Sequence, residues 1–187
     1  MPLERSAYIK AERIIFDRLV AKEIEKNIEE LTGHKVSVDI LLKQQMSPEN
    51  IITHFTANKV VTAIFSKISF SHEMFIIIFL SIEQACELVR ILLAQAGLEF
   101  NGEEVIDALR EFGNIMFGTM ASYISKIKKE RVDYLIPNVI IDYDIAILDS
   151  IILPLTVNKD LIDLYEVNVA SDDNIKTRFK MLILPTW

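Results

Sequence analysis

Between Ser6 and Leu31 the apolar residues Ile14, Ile15, Leu19, Ile24, Ile28 and Leu31 recur at helical spacing, which lays one apolar stripe along a helix. Thr32-Gly33 then supplies a left-handed stop. The period changes after it. Val36 to Ile40 alternates and predicts a strand, and Gln44 to Asn50 is a polar stretch that reads as a connection and the best candidate for a mobile loop. Val60 to Phe70 and Met74 to Leu80 are rich in β-branched and aromatic residues on either side of Ser71-His72-Glu73, which predicts an antiparallel hairpin. Ser81 can cap a helix from Ile82 to Ala96, with Ala85, Leu88, Val89, Leu92 and Leu93 on its core face and Gly97 as its stop.

A second long helix is predicted from Glu103 to about Lys129, with acids in its first turn and bases in its last, matched to the poles of the helix dipole. Val105, Ile106, Leu109, Phe112, Met116, Met120, Ile124 and Ile127 form its core stripe. Strands are predicted at Val139 to Tyr143, Ile147 to Thr156, Leu161 to Val169 and Thr177 to Leu184, with Pro137, Pro154 and Pro185 at edges or ends. The order of elements gives an α+β fold in which two long helices cover an antiparallel sheet.

With 187 residues the chain fits one domain, or two fused half-units that share a core. A hydrophobic share of 51% is high, yet the longest apolar run, Met74 to Leu80, is far short of a membrane span. The first residues enter mixed charge without the basic stretch and apolar core of a secretory signal, so a cytoplasmic protein is expected. A formal charge of −7 argues against general nucleic-acid affinity, and Lys126 to Lys129 with Arg131 reads instead as a cationic helix end. The single cysteine, Cys86, has no partner in the chain and is expected to pack as a small apolar residue. His34, His54 and His72 lack metal-ligand spacing, and no glycine-rich phosphate loop is present.

Chemistry concentrates on the second long helix. Asp107, Glu111 and Asn114 stand at i, i+4 and i+7 and share one stripe, which continues to Gly118 and borders Gly113. Asparagine and two glycines in a helix interior cost on the order of 2 kcal/mol relative to alanine, so something must offset them. Two glycines beside the polar pair would leave bare backbone for a partner's close approach. Most helix glutamates are only solvated face residues, and an isolated Asn114 is more often a local hydrogen-bonding group than a catalytic one.

The longer pattern Asp107-x3-Glu111-x2-Asn114-x22-Pro137 resembles the signature of the CheC/CheX/FliY phosphatase family, which is Asp or Ser, x3, Glu, x2, Asn, x22, Pro. The resemblance covers roughly Leu31 to Thr156 and is greatest to the CheX branch, which carries one motif per chain. Asp17, Glu23 and Asn27 in the first helix have the wrong intervals for a second copy. The hairpin lacks the glycines that relatives place there, and the tail after Leu161 is long for a minimal member.

That resemblance implies a single domain over 1–187, with a long helix in 1–33, the active-site helix in 103–129 and a β-rich part in 139–187. It implies a chemotaxis-type phosphatase that removes the aspartyl phosphate of a CheY-like response regulator, Asn114 orienting the attacking water and Glu111 anchoring the regulator's lysine. Asparagine has no useful pKa for proton abstraction, so positioning is its available role. Asp107, Gly113, Gly118 and Pro137 support the motif, with Pro137 shaping the turn from helix to strand. No cofactor is expected in this chain, and Mg²⁺ would sit in the regulator; a homodimer is the family's CheX arrangement. The alternative is a non-catalytic regulator-binding or flagellar-switch module of the same fold, as in the FliM middle domain.

Overall fold

A computed structural model describes residues 17–55, 58–93, 102–152, 154 and 161–185. Helix α1 (Arg18–Thr32) begins where the Asp17 carboxylate accepts from the amides of Leu19 and Val20, and ends at Gly33, whose φ of 73° lets its amide donate to Glu29. The part of the predicted first helix before residue 17 lies outside the described residues, as do Ala94 to Ala96 and the Gly97 stop.

Strand β1 (Val36–Met46) takes the first three residues of the predicted polar connection, Gln44 to Met46, and its last three, Pro48 to Asn50, open helix α2 (Pro48–Phe55). The expected loop is therefore ordered secondary structure. Pro48 occupies a first-turn position where a missing N–H costs nothing. The predicted hairpin is present as β2 (Val60–Ser69) and β3 (Glu73–Ser81). Helix α3 (Ile82–Leu93) opens with a reciprocal cap, the Gln84 amide donating to Ser81 Oγ at 3.2 Å and the Ser81 amide donating to Gln84 Oε1 at 2.7 Å.

Helix α4 (Glu103–Lys128) is the longest element among the described residues. The short β4 (Asp133–Tyr134) and β5 (Asn138–Tyr143) follow it. The predicted strand from Ile147 to Thr156 is not formed in its described residues, 147–152 and 154. Helix α5 (Asp144–Ile147) and a π-helical turn (Leu148–Ile152) occupy its described part, because a short apolar run satisfies a buried helical turn as well as a strand. Strands β6 (Ile162–Ser171) and β7 (Lys176–Pro185) complete the sheet.

All ladders are antiparallel, in the order β1-β6-β7-β3-β2, with the outer side of β2 shared between β5 and β4. Exchanging β1 with β5, β2 with β6 and β3 with β7 maps this order onto itself reversed. The units α1-β1-α2-β2-β3 and α4-β5-α5-β6-β7 are thus two halves of one sheet, as the fused half-unit reading allowed.

Both faces of the sheet are buried. Ile64, Ile68, Ile76, Ile78, Val167, Phe179 and Met181 meet α1, α3 and α4 through residues such as Ile24, Leu88, Leu109, Phe112 and Met116. Ala63, Ile77, Phe79, Leu164 and Leu182 meet Ile51, Phe55, Ile147 and Leu148 on the opposite side. The two long helices therefore lie on one face, as predicted, and shorter helical pieces cover the other. No helix among the described residues is long and apolar enough to cross a membrane.

Candidate functional site

Helix α4 is set down on the sheet by the buried Val105, Leu109, Phe112, Met116, Met120 and Ile124, members of the stripe read from the sequence; of its other two members, Ile106 is half-buried and Ile127 is 46% exposed. The helix surface opposite this stripe faces solvent. Glu103 and Glu104 lie in the first turn and Lys126 and Lys128 in the last, each sign at the pole that favours it.

Glu111 and Asn114 project together from this helix. Glu111 is exposed and Asn114 half-buried, and Asn114 Nδ2 donates to Glu111 Oε2 at 3.2 Å. This bond orders the carboxamide. With its nitrogen turned to Glu111, the Asn114 oxygen is the group left to accept a hydrogen bond. Asp107, one turn earlier and exposed, is ion-paired with Arg110 Nη1 instead of joining the pair directly. An exposed pair of this kind contributes little to stability.

The glycines do a different job from the one the sequence suggested. Gly113 is buried, and a Cβ there would stand 2.8 Å from Ile64 Cγ2 and 2.9 Å from Pro137 Cβ. The bare backbone is thus filled by the chain itself. Pro137 is buried at the entry to β5, where its ring fills the space that the missing Gly113 side chain leaves. Gly118 is similar. A Cβ there would meet Tyr134 Oη at 3.1 Å and Tyr134 Cζ at 3.4 Å.

The connection between these two notches is fixed at its backbone. The Leu135 amide donates to the Lys67 carbonyl at 3.0 Å, and Ser66 Oγ donates to the Leu135 carbonyl at 2.6 Å. Tyr134 pairs with Ile68 in the sheet. Leu135 and Ile136 stay 59% and 75% exposed on a held backbone between the two contacts that Tyr134 and Pro137 make with α4. Sequence reasoning missed Tyr134, Leu135 and Ile136. Nothing in their spacing marks them, because their place is set by β4 pairing with β2.

Other candidate groups fall elsewhere. Cys86 is half-buried on α3, and burial pushes its thiol up, away from nucleophilic chemistry. His54 lies in the last turn of α2, its Nε2 3.1 Å from Gln44 Nε2. Among the described residues no group of three or more His, Cys, Asp or Glu side chains could hold a metal ion.

The model of the CheC-like family matches residues 104–141, the stretch that runs from the first turn of α4 through Pro137 into β5. No curated protein sequence matches the chain. Among solved structures, Thermotoga maritima FliY superposes with a TM-score of 0.70 at 14% identity, over 87% of this chain and 83% of that one. CheX in its complex with CheY, beryllofluoride and Mg²⁺ from Borrelia burgdorferi gives 0.58 at 16% identity, over 92% and 99%. The FliM middle domain from Vibrio alginolyticus gives 0.61 at 12% identity, over 89% and 88%. The family resemblance read from the motif is thus supported by a CheC-like segment at the motif and by an α+β fold shared with FliY, CheX and FliM.

Proposed function

We propose that this CheC-like chain binds a phosphorylated receiver domain of the CheY type and accelerates hydrolysis of its aspartyl phosphate. The observation that carries the reading is the solvent-facing Glu111–Asn114 pair, in which the glutamate takes the amide nitrogen and leaves the amide oxygen to accept from water. A water held by that oxygen is oriented for in-line attack on phosphorus. As the water oxygen bonds to phosphorus, the bond from phosphorus to the aspartate carboxylate breaks. That carboxylate is a good leaving group, so the water's proton passes to the released phosphate or to solvent without a strong base. Glu111 keeps a second carboxylate oxygen for a cation on the partner. The demand is small. A 100-fold acceleration needs about 2.7 kcal/mol, within the reach of positioning by one or two groups. Mg²⁺, where required, belongs to the receiver's own acidic pocket.

A second reading follows from the likeness to the FliM middle domain, a binding module with the same fold. One assay separates the two. The chain is mixed with its phosphorylated receiver and Mg²⁺, and phosphate loss is followed for the parent, Asn114→Ala and Glu111→Ala. A phosphatase loses nearly all acceleration in Asn114→Ala with its melting temperature unchanged, and in Glu111→Ala needs more receiver for half-maximal rate. Tight binding of the receiver with no acceleration by the parent would reject catalysis in favour of the module.

A further inference from the structure

We infer that Tyr134 is a third polar member of this site, its phenol hydroxyl donating a hydrogen bond to a phosphoryl oxygen of the docked partner; the inference rests on the phosphoaspartate reading above. Gly118 lies one turn beyond Asn114 on the same stripe, about 6 Å along the helix axis. The phenol end of Tyr134 lies where a Gly118 side chain would begin, 3.1 Å from that position. The hydroxyl thus sits on the helix surface that carries Asn114. A phosphoryl group approached by a water on Asn114 has its outer oxygens on that scale of distance.

Three features make this hydroxyl more than a packed ring. Tyr134 is 39% exposed. Among the described residues its hydroxyl makes no hydrogen bond. Its backbone is held by the pairing with Ile68 and, one residue on, by the two hydrogen bonds of Leu135, so little freedom is lost when the hydroxyl engages a ligand. A donor fixed in advance and aimed at an anion forms a stronger bond than one between neutral groups. A ring needed only to fill the Gly118 notch could equally be phenylalanine.

Tyr134→Phe tests this, since it keeps the ring and removes the donor. Affinity is measured for the cognate receiver loaded with beryllofluoride and Mg²⁺, a mimic of its phosphorylated form, and for the same receiver unloaded. The hydroxyl's role predicts that the variant binds the loaded receiver about tenfold more weakly, binds the unloaded receiver as the parent does, and melts at the parent's temperature. Unchanged affinity for the loaded receiver overturns the inference while leaving the phosphatase reading intact. A parent that does not distinguish loaded from unloaded receiver overturns both.

Discussion

Replacing Gly113 by alanine is the sharpest test of how the site is built. On helix propensity alone the change stabilises an interior position by about 1 kcal/mol. The structure opposes that gain. The new methyl would lie 2.8 Å from Ile64 Cγ2 and 2.9 Å from Pro137 Cβ, and neither atom is the free end of a flexible chain: Ile64 is fully buried and Pro137 is a ring. Overpacking of this kind costs about 1–3 kcal/mol, so the net change is a loss of up to about 2 kcal/mol. For a chain of this size each 1 kcal/mol lowers the melting temperature by about 2–4 °C. Gly118→Ala is the control. Its methyl would stand 3.1 Å from the Tyr134 hydroxyl, which has to give by only a few tenths of an ångström, so stability is unchanged or rises by about 0.5 kcal/mol. Urea unfolding of both variants gives the comparison, and a more stable Gly113→Ala would refute the packing argument. On the phosphatase reading, activity should fall further than stability does in Gly113→Ala, because the displaced backbone carries Asn114 with it and a misplacement near 1 Å can cost about 100-fold.

Two further expectations concern the scaffold. Thr62 is fully buried between β3 and β5, and its hydroxyl finds no hydrogen-bond partner among the described residues; Thr62→Val should therefore raise stability by about 1 kcal/mol in urea unfolding, and a loss of that size would show that the hydroxyl is satisfied. Glu83, at the start of α3, is held below the usual carboxylate range by its hydrogen bond from Ser81 and by its own backbone amide. A lowered folded pKa gives stability that is present above the ordinary carboxylate value and is lost as pH falls through the lowered one. Glu83→Gln should flatten the acid limb of the stability curve while leaving its neutral region unsteepened, and an acid limb identical to the parent's would remove Glu83 from it.

How far the sequence led depended on the length of each pattern. Helix α4 repeats its apolar interval over seven turns, so its extent, its core stripe and the shared face of Glu111 and Asn114 could all be read from spacing. The hairpin was equally clear, since its apolar runs flank a polar turn. Helix α2 has only eight residues, and Ser47-Pro48-Glu49-Asn50 carries the composition of a loop; what makes it helical is Ile51 and Phe55 burying against the far face of the sheet, a tertiary contact that local composition does not encode. Ile147 and Leu148 turned helical for the same reason. The glycines were seen but misassigned. A gap in a helix surface announces a close approach without saying whose atoms make it, and here they belong to Pro137 and Tyr134.

The two-fold sheet raises the question of why only one half should carry a site, and the answer lies in where each helix sends its polar groups. On α1 the carboxamide of Asn27 donates to buried Thr119 Oγ1 at 2.8 Å, Glu25 accepts from the Val38 amide at 2.8 Å, and the Asp17 carboxylate takes the Tyr123 hydroxyl at 3.1 Å as well as its cap amides. Each of these groups is already used to hold α1 against β1 and α4. To offer one of them to a partner would leave a buried donor or acceptor unsatisfied, a cost of about 1–3 kcal/mol. On α4, Thr119 and Tyr123 supply the partners of Asn27 and Asp17, but the surface around Asn114 is built by apolar residues and by two glycines filled from Pro137 and Tyr134, and among the described residues the carboxamide is bonded to a neighbouring exposed glutamate. One half of the sheet has spent its polar side chains on assembly, and the other has kept a glutamate and an asparagine on its outer face.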